Sequence, residues 1–257
     1  GTGIQTTDFV DDPAGSREAI NGWVAQATRD RIPDLLGEDA IGEDTRAMLV
    51  NAVYLEAAWA TTFAESGTRD EPFHRADGST VDVPTMHTAG LDARYARGNG
   101  YTAVELPYAG GDLAMLIVMP DAGTALDDAG LPPLGEIAVG LTGGLVDLAL
   151  PRWETRATLD LGRVMTELGL TIPGGDLSGI APDLEIGTAV HAADITVDEH
   201  GTEAAAATAV GMELTAAPVR DEPVAITVDR PFLFEVRHVE TGAPLFLGRV
   251  VDPAATD

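Results

Sequence analysis

The chain contains no cysteine and no lysine. Without cysteine it can form no disulfide, bind no metal through thiolate and use no thiol nucleophile, and the redox compartment is left open. Without lysine every basic side chain is an arginine. Only 15 of these stand against 42 acidic residues, for a formal net charge of −27. Such a surface repels nucleic acid and anionic membrane. It also repels itself at low ionic strength and is well screened in strong salt. A GC-rich genome accounts for arginine in place of lysine but not for the excess of acid, and the combination points to a high-salt origin. No apolar run approaches the length of a bilayer-spanning helix. The first residues, Gly1-Thr2-Gly3-Ile4, show neither an initiator methionine nor a signal-peptide pattern, as if the sequence began inside a longer frame. Gly-x-Ser-x-Gly, His-Glu-x-x-His and phosphate-loop motifs are missing, and the five histidines are scattered. A hydrolase or a metal enzyme is therefore poorly supported.

What is present is a globular composition. Hydrophobic residues make up 45% of 257 positions, enough for one large domain or two small ones. Ile4 to Val10 reads as a short strand. Ser16 is placed as the N-cap of a helix whose apolar stripe is Ile20, Trp23, Val24 and Ala27. The first half of Met48 to Trp59 is nearly continuously apolar, as expected of a strand covered on both faces. Asp77-Gly78 predicts a hairpin between Phe73-His74 and Val81-Asp82-Val83. Tyr101 to Tyr108 and Leu113 to Pro120 continue an antiparallel meander. A short helix is placed near Pro133 to Leu141, a strand at Val146 to Glu154, and a helix at Leu159 to Leu168 with Gly169 as its C-cap. Ala189 to Val197, Ala225 to Val228, Pro231 to Arg237 and Pro244 to Val250 read as strands, the last two joined at Glu240-Thr241-Gly242. The fold class is α+β with mostly antiparallel or mixed sheets.

The stretch from Asp198 to Thr215 is unusual. Side chains alternate faces along a strand. From Thr202 the even positions are Thr202, Ala204, Ala206, Thr208, Val210, Met212 and Leu214, with no charge among them. The odd positions hold both charges, Glu203 and Glu213. This suits a segment able to become a strand with its even face buried, since a buried charge is costly unless paired. Ala204 to Ala207 are equally the best helix formers available, and a linker also fits, so pattern alone leaves these alternatives balanced.

Taken together, the residues resemble the serpin family, in a prokaryotic and salt-adapted form. Glu199-His200-Gly201-Thr202-Glu203-Ala204-Ala205-Ala206-Ala207-Thr208 resembles the reactive-loop hinge of inhibitory serpins. Asn51 through Trp59, Phe63, Glu71 to His74, Val83-Pro84-Thr85-Met86-His87, Ile20 to Val24, Pro231 to Phe234 and Phe246 to Pro253 resemble further family blocks, in the family's order. The resemblance implies a single partial serpin domain over residues 1–257, the C-terminal two-thirds, lacking the N-terminal helices. The reactive loop would occupy about 199–224.

The resemblance also implies a function. The chain would not be an enzyme and would need no cofactor or metal. It would be a metastable suicide-substrate inhibitor whose hinge inserts into the main sheet after cleavage. Family spacing places the scissile bond fourteen residues after Gly201, at Thr215-Ala216, with Leu214-Thr215 as runner-up. Such a bond suits subtilisin-like or elastase-like serine proteases, with cysteine proteases as a further class. Trp59 matches a tryptophan beneath the insertion point. Glu199 and Arg152 match an acidic–basic pair at the top of the sheet, and Asn51 and His191 match polar residues at the mid-sheet opening. A non-inhibitory binding or storage serpin and an inactive fragment are the alternatives; the missing N-terminal segment would be a partner. An extracellular location is weakly favoured.

Overall fold

The computed structural model describes residues 3–42, 44–169, 188–202 and 222–255. In chain order the elements are α1 (Pro13–Ala27), β1 (Met48–Tyr54), β2 (Ala57–Ala58), β3 (Arg69–His74), β4 (Thr80–Arg97), β5 (Tyr101–Pro107) and β6 (Leu113–Pro120). Then come α2 (Leu134–Val139), β7 (Thr142–Pro151), β8 (Trp153–Asp160), α3 (Leu161–Glu167), β9 (Thr188–Val197), β10 (Gly201–Thr202), β11 (Val224–Thr227), β12 (Phe232–His238) and β13 (Pro244–Val250). They divide into two compact units, Gly1–Leu55 with Arg156–Ile195, and Glu56–Thr155 with Thr196–Asp257.

In the first unit α1 starts at Pro13, where a missing N–H costs nothing. Asp12 is the N-cap, its carboxylate accepting from the Gly15 N–H at 2.9 Å. Ser16 is therefore not the cap. It lies in the first turn, buried, with its hydroxyl on the Asp8 carbonyl at 2.9 Å. Nor do residues 4–10 form a strand. Asp8 instead accepts the N–H groups of Val10 and Asp11 and turns the chain locally. The helix ends where the Thr28 hydroxyl donates to the Val24 carbonyl and accepts from the Ile32 N–H, and Arg29 and Asp30 take positive φ. Val24, Ile32, Leu35, Leu36 and Ala192 form the buried core here, with Met48, Val50 and Val190 packed around it. β1 runs parallel to β9, Asn51 opposite His191 and Tyr54 opposite Asp194. β1 is not covered on both faces: Leu49 is 53% exposed and Asn51 is also exposed. Its apolar run serves α1 on one side only. Asp194 is fully buried and accepts from Arg156 Nε at 2.9 Å.

The second unit holds an eight-stranded sheet ordered β11, β7, β4, β5, β6, β12, β13, with β3 on β4. The predicted hairpin is there, Phe73 opposite Val81, with Gly78 at φ 84°. The strand expected over 146–154 is two strands broken at Arg152, whose N–H leaves the ladder for the Pro84 carbonyl at 2.9 Å. In the first unit β8 persists to Asp160, which then caps α3 through the Arg163 N–H, so the helix starts two residues later than its apolar spacing predicts. Gly169 follows at φ 73°, as a helix terminator should. α2 lays Ile137 and Ala138 on Ala103, Leu116 and Val118 of the sheet.

One helix offers an internal control on this packing. Ile137 is 2% exposed and Val139 is 84% exposed. Ile137→Ala is expected to cost about 2–5 kcal/mol in urea unfolding, and Val139→Ala to stay within about 0.5 kcal/mol of the parent. Equal losses from both would contradict the packing.

Candidate functional site

The site is built around the turn after β9, within the second unit. Asp198 makes the turn: its carboxylate accepts the N–H of His200 at 2.8 Å and of Gly201 at 3.2 Å. The chain thereby doubles back and Thr202 pairs antiparallel with Val197. On the other side Gly201 and Thr202 pair with Ala58 and Ala57. Gly201 is required twice over. Its φ is 149°, and a Cβ there would lie 2.2 Å from the Ala57 carbonyl oxygen. The Trp59 and Phe63 N–H groups close the turn by donating to the carbonyls of His200 and Glu199.

Two side-chain clusters fix this backbone. Glu199 is 1% exposed. Its Oε1 accepts from Arg152 Nε at 2.8 Å and Nη2 at 2.5 Å, and from the Thr68 hydroxyl. Burial pushes the Glu199 carboxyl up, but the hydrogen bonds from Arg152 and Thr68 outweigh it, and the group is held below its ordinary value. Thr202 is fully buried, its hydroxyl 2.6 Å from that of Tyr108. Tyr108 stacks on Trp59 with centroids 4.6 Å apart, and Trp59 Nε1 donates to the Asp198 carbonyl at 2.9 Å. Burial drives the phenol pKa upward, so Tyr108 stays neutral. Nothing in this constellation is a nucleophile with an activating base. It is a mechanical anchor for the chain at Gly201 and Thr202.

Of the residues singled out from sequence, Trp59, Arg152, Glu199, Gly201 and Thr202 meet here. The solvated, unpaired alternative for Glu199 is excluded by its burial and its ion pair. Asn51 and His191 face each other across β1 and β9 in the first unit. Glu203, Ala204, Ala205, Ala206, Ala207 and Thr208, and the bond residues Leu214, Thr215 and Ala216, lie outside the described residues. Sequence reasoning missed Thr68, Tyr108 and Asp198. The Asp-x-x-Gly spacing of residues 198–201 is a legible turn signal. The contacts of Thr68 and Tyr108 are tertiary and leave no local pattern.

Comparison with known proteins agrees with this geometry. The family model described as "Serpin (serine protease inhibitor)" matches residues 1–253. The chain is similar to an uncharacterized serpin-like protein of Thermococcus kodakarensis, 38% identical over 96% of this chain and 58% of the relative. It is similar to antithrombin-III of Mus musculus, 33% identical over 98% of this chain and 57% of the relative. Among solved structures, a highly specific serpin of the insect Tenebrio molitor superposes with a TM-score of 0.81 at 31% identity, covering 96% of this chain and 66% of that one. The fold is the serpin fold, and the chain belongs to the serpin family. It spans 57–58% of the length of these two relatives.

A carboxylate with a depressed folded pKa contributes stability above the ordinary glutamate value and loses it as pH falls through the lowered one. The stability gap between the parent and Glu199→Gln is therefore expected to be widest near neutrality and to close on acidification through that window. Denaturant unfolding at stepped pH measures it. A gap independent of pH would show that Glu199 is not held ionised.

Proposed function

We propose that this chain carries the bait loop and hinge of a serine protease inhibitor that acts as a suicide substrate. The reactive loop covers about residues 199–224 of a single partial serpin domain, 1–257. A target protease attacks the carbonyl of Thr215 and forms an acyl-enzyme. The freed segment then adds to the sheet beside β9, carrying the protease with it. Leu214-Thr215 is the second choice of bond.

The observation that carries this reading is the seeded pairing at Thr202. The first even-numbered hinge residue is already fully buried and antiparallel to Val197. The following even positions through Leu214 are uncharged, so the same face can follow it inward. Each added ladder hydrogen bond contributes only about 1 kcal/mol net, and many must form together to offset the work of moving a protease. Insertion competes with deacylation, which favours small side chains that pass quickly. Ala204 to Ala207 meet that need.

The remaining assignments follow from composition and the bond. Thr215 suits subtilisin-like or elastase-like proteases, with cysteine proteases a further class, and not enzymes that require a basic side chain there. The charge of −27 without lysine suits a prokaryotic protein working in strong salt. The length relative to its kin suits about two-thirds of a serpin. Such a piece alone is expected to be cleaved without trapping the protease, and the missing third is its natural partner.

The test is incubation with subtilisin-like and elastase-like proteases in high salt, read by denaturing gel and mass spectrometry. The protein extended by that third should give a complex stable in SDS and a released peptide beginning at Ala216. Thr202→Arg in the same protein should turn it from inhibitor into substrate, since a charge would enter a fully buried position. Undiminished complex formation by Thr202→Arg, or clean inhibition by residues 1–257 alone, would refute the reading.

A further inference from the structure

The chain holds three asparagines, and two of them, Asn21 and Asn99, are followed by glycine. That dipeptide is chemically weak, because a glycine has no Cβ to keep its backbone nitrogen from the preceding asparagine side chain. The two copies stand in opposite surroundings. Asn21 lies in α1, where the Gly22 N–H belongs to the helical ladder. Its side chain is held at both ends by Leu36: Nδ2 donates to the Leu36 carbonyl at 3.0 Å, and Oδ1 accepts from the Leu36 N–H at 2.9 Å.

Asn99 lies at the tip of the hairpin between β4 and β5, in the short link from Arg97 to Tyr101. It is exposed. Neither its side chain nor the Gly100 N–H has a hydrogen-bond partner among the described residues. Gly100 takes φ 87°, with open space where a Cβ would stand. The turn is closed around the pair, by the Gly98 N–H on the Tyr101 carbonyl at 2.9 Å and the Asp121 N–H on the Gly100 carbonyl at 3.0 Å. Those bonds hold the ends of the turn and leave the reacting atoms free.

We propose that Asn99-Gly100 is a site of spontaneous covalent modification, at which the Gly100 nitrogen attacks Asn99 Cγ. A new N–Cγ bond forms, the Cγ–Nδ2 bond breaks, and Nδ2 leaves as ammonia with the proton that Gly100 gave up. The product is a succinimide ring. Water then opens the ring at either carbonyl. Opening at Cγ leaves aspartate; opening at the main-chain carbonyl leaves isoaspartate, with the chain rerouted through Cβ and Cγ. Water is the only co-reactant, and nothing is oxidised or reduced. Each product adds a carboxylate to a chain already at −27, an addition that strong salt screens. The isoaspartyl form also lengthens the backbone by one carbon inside the turn that Gly98 and Tyr101 close. The inference stands apart from the inhibitory reading and survives its failure.

Residues 1–257 would be held in strong salt at stepped pH from neutrality upward, sampled over time, cut at arginine and weighed by mass spectrometry. Cleavage at arginine puts the two sites in separate fragments, 18–29 and 98–152, each with a single asparagine. Conversion of amide to acid should appear in 98–152 about tenfold or more faster than in 18–29, because at Asn21 two hydrogen bonds and a helical turn must open first. It should accelerate with pH, since the attacking nitrogen must lose its proton. In concentrated urea the two rates should converge, as Asn21 loses its protection. An isoaspartyl-specific carboxyl methyltransferase should label 98–152 alone in the native protein, and Asn99→Ser should remove the label. Equal native rates at the two sites, no conversion at Asn99 in the native protein, a gap that persists in urea, or a label that survives Asn99→Ser would overturn the proposal.

Discussion

A single buried carboxylate fixes the position of the chain as it leaves β9. Glu199 could not be left at 1% exposure alone, because an unpaired buried charge costs several kcal/mol. Arg152 and Thr68 converge on one of its oxygens, and each is free to do so for a local reason. Arg152 sits at the break between β7 and β8, where its backbone has turned aside to Pro84. Thr68 follows the short turn 65–67, just before β3. With Glu199 fixed, Asp198 and Gly201 have one way to turn. Thr202 arrives in register with Val197 and under the hydroxyl of Tyr108.

That arrangement separates a rigid end from a permissive one. From Asp198 to Thr202 the backbone is held by the Asp198 turn, by Trp59 and Phe63, and by pairing with Val197, Ala57 and Ala58. Gly201 cannot even accept a methyl group without meeting Ala57 and Ala58. Beyond it the even face is uncharged through Leu214 and small from Ala204 to Thr208, where little side-chain entropy is lost on ordering. Elsewhere the buried Asp194 is held by an ion pair from a largely exposed Arg156. Opposite it β1 lies along β9 in parallel, with Met48, Val50 and Ala52 sharing the core of Val190 and Ala192.

Much of this was legible beforehand because it is written in local patterns. The hairpin at Gly78, the turn at Gly242 and the helix stop at Gly169 all depend on near neighbours. The pairing of Glu199 with Arg152 was reached through the order of family blocks and not through any spacing rule. What escaped was decided at a distance. The N-cap fell to Asp12 because Pro13 opens the helix and Ser16 is drawn to Asp8. The apolar run of β1 read as covered on both faces, but α1 meets only one, and Leu49 is open. Tyr108 gave no signal, since a strand-end tyrosine acquires its role only when Trp59 and Thr202 arrive beside it.

The central claim is that the segment after Thr202 gains structure when the loop is cut, and hydrogen exchange tests it most directly. Residues 1–257 would be nicked once between 214 and 216 in high salt, the protease removed, and amide exchange compared with the uncut chain. Simple nicking presents no acyl-enzyme for insertion to outrun, and it needs only β1 and β9, both present here. The account predicts slower exchange after cleavage across 203–213 and along 188–197. Exchange that is unchanged or faster in both segments would contradict it.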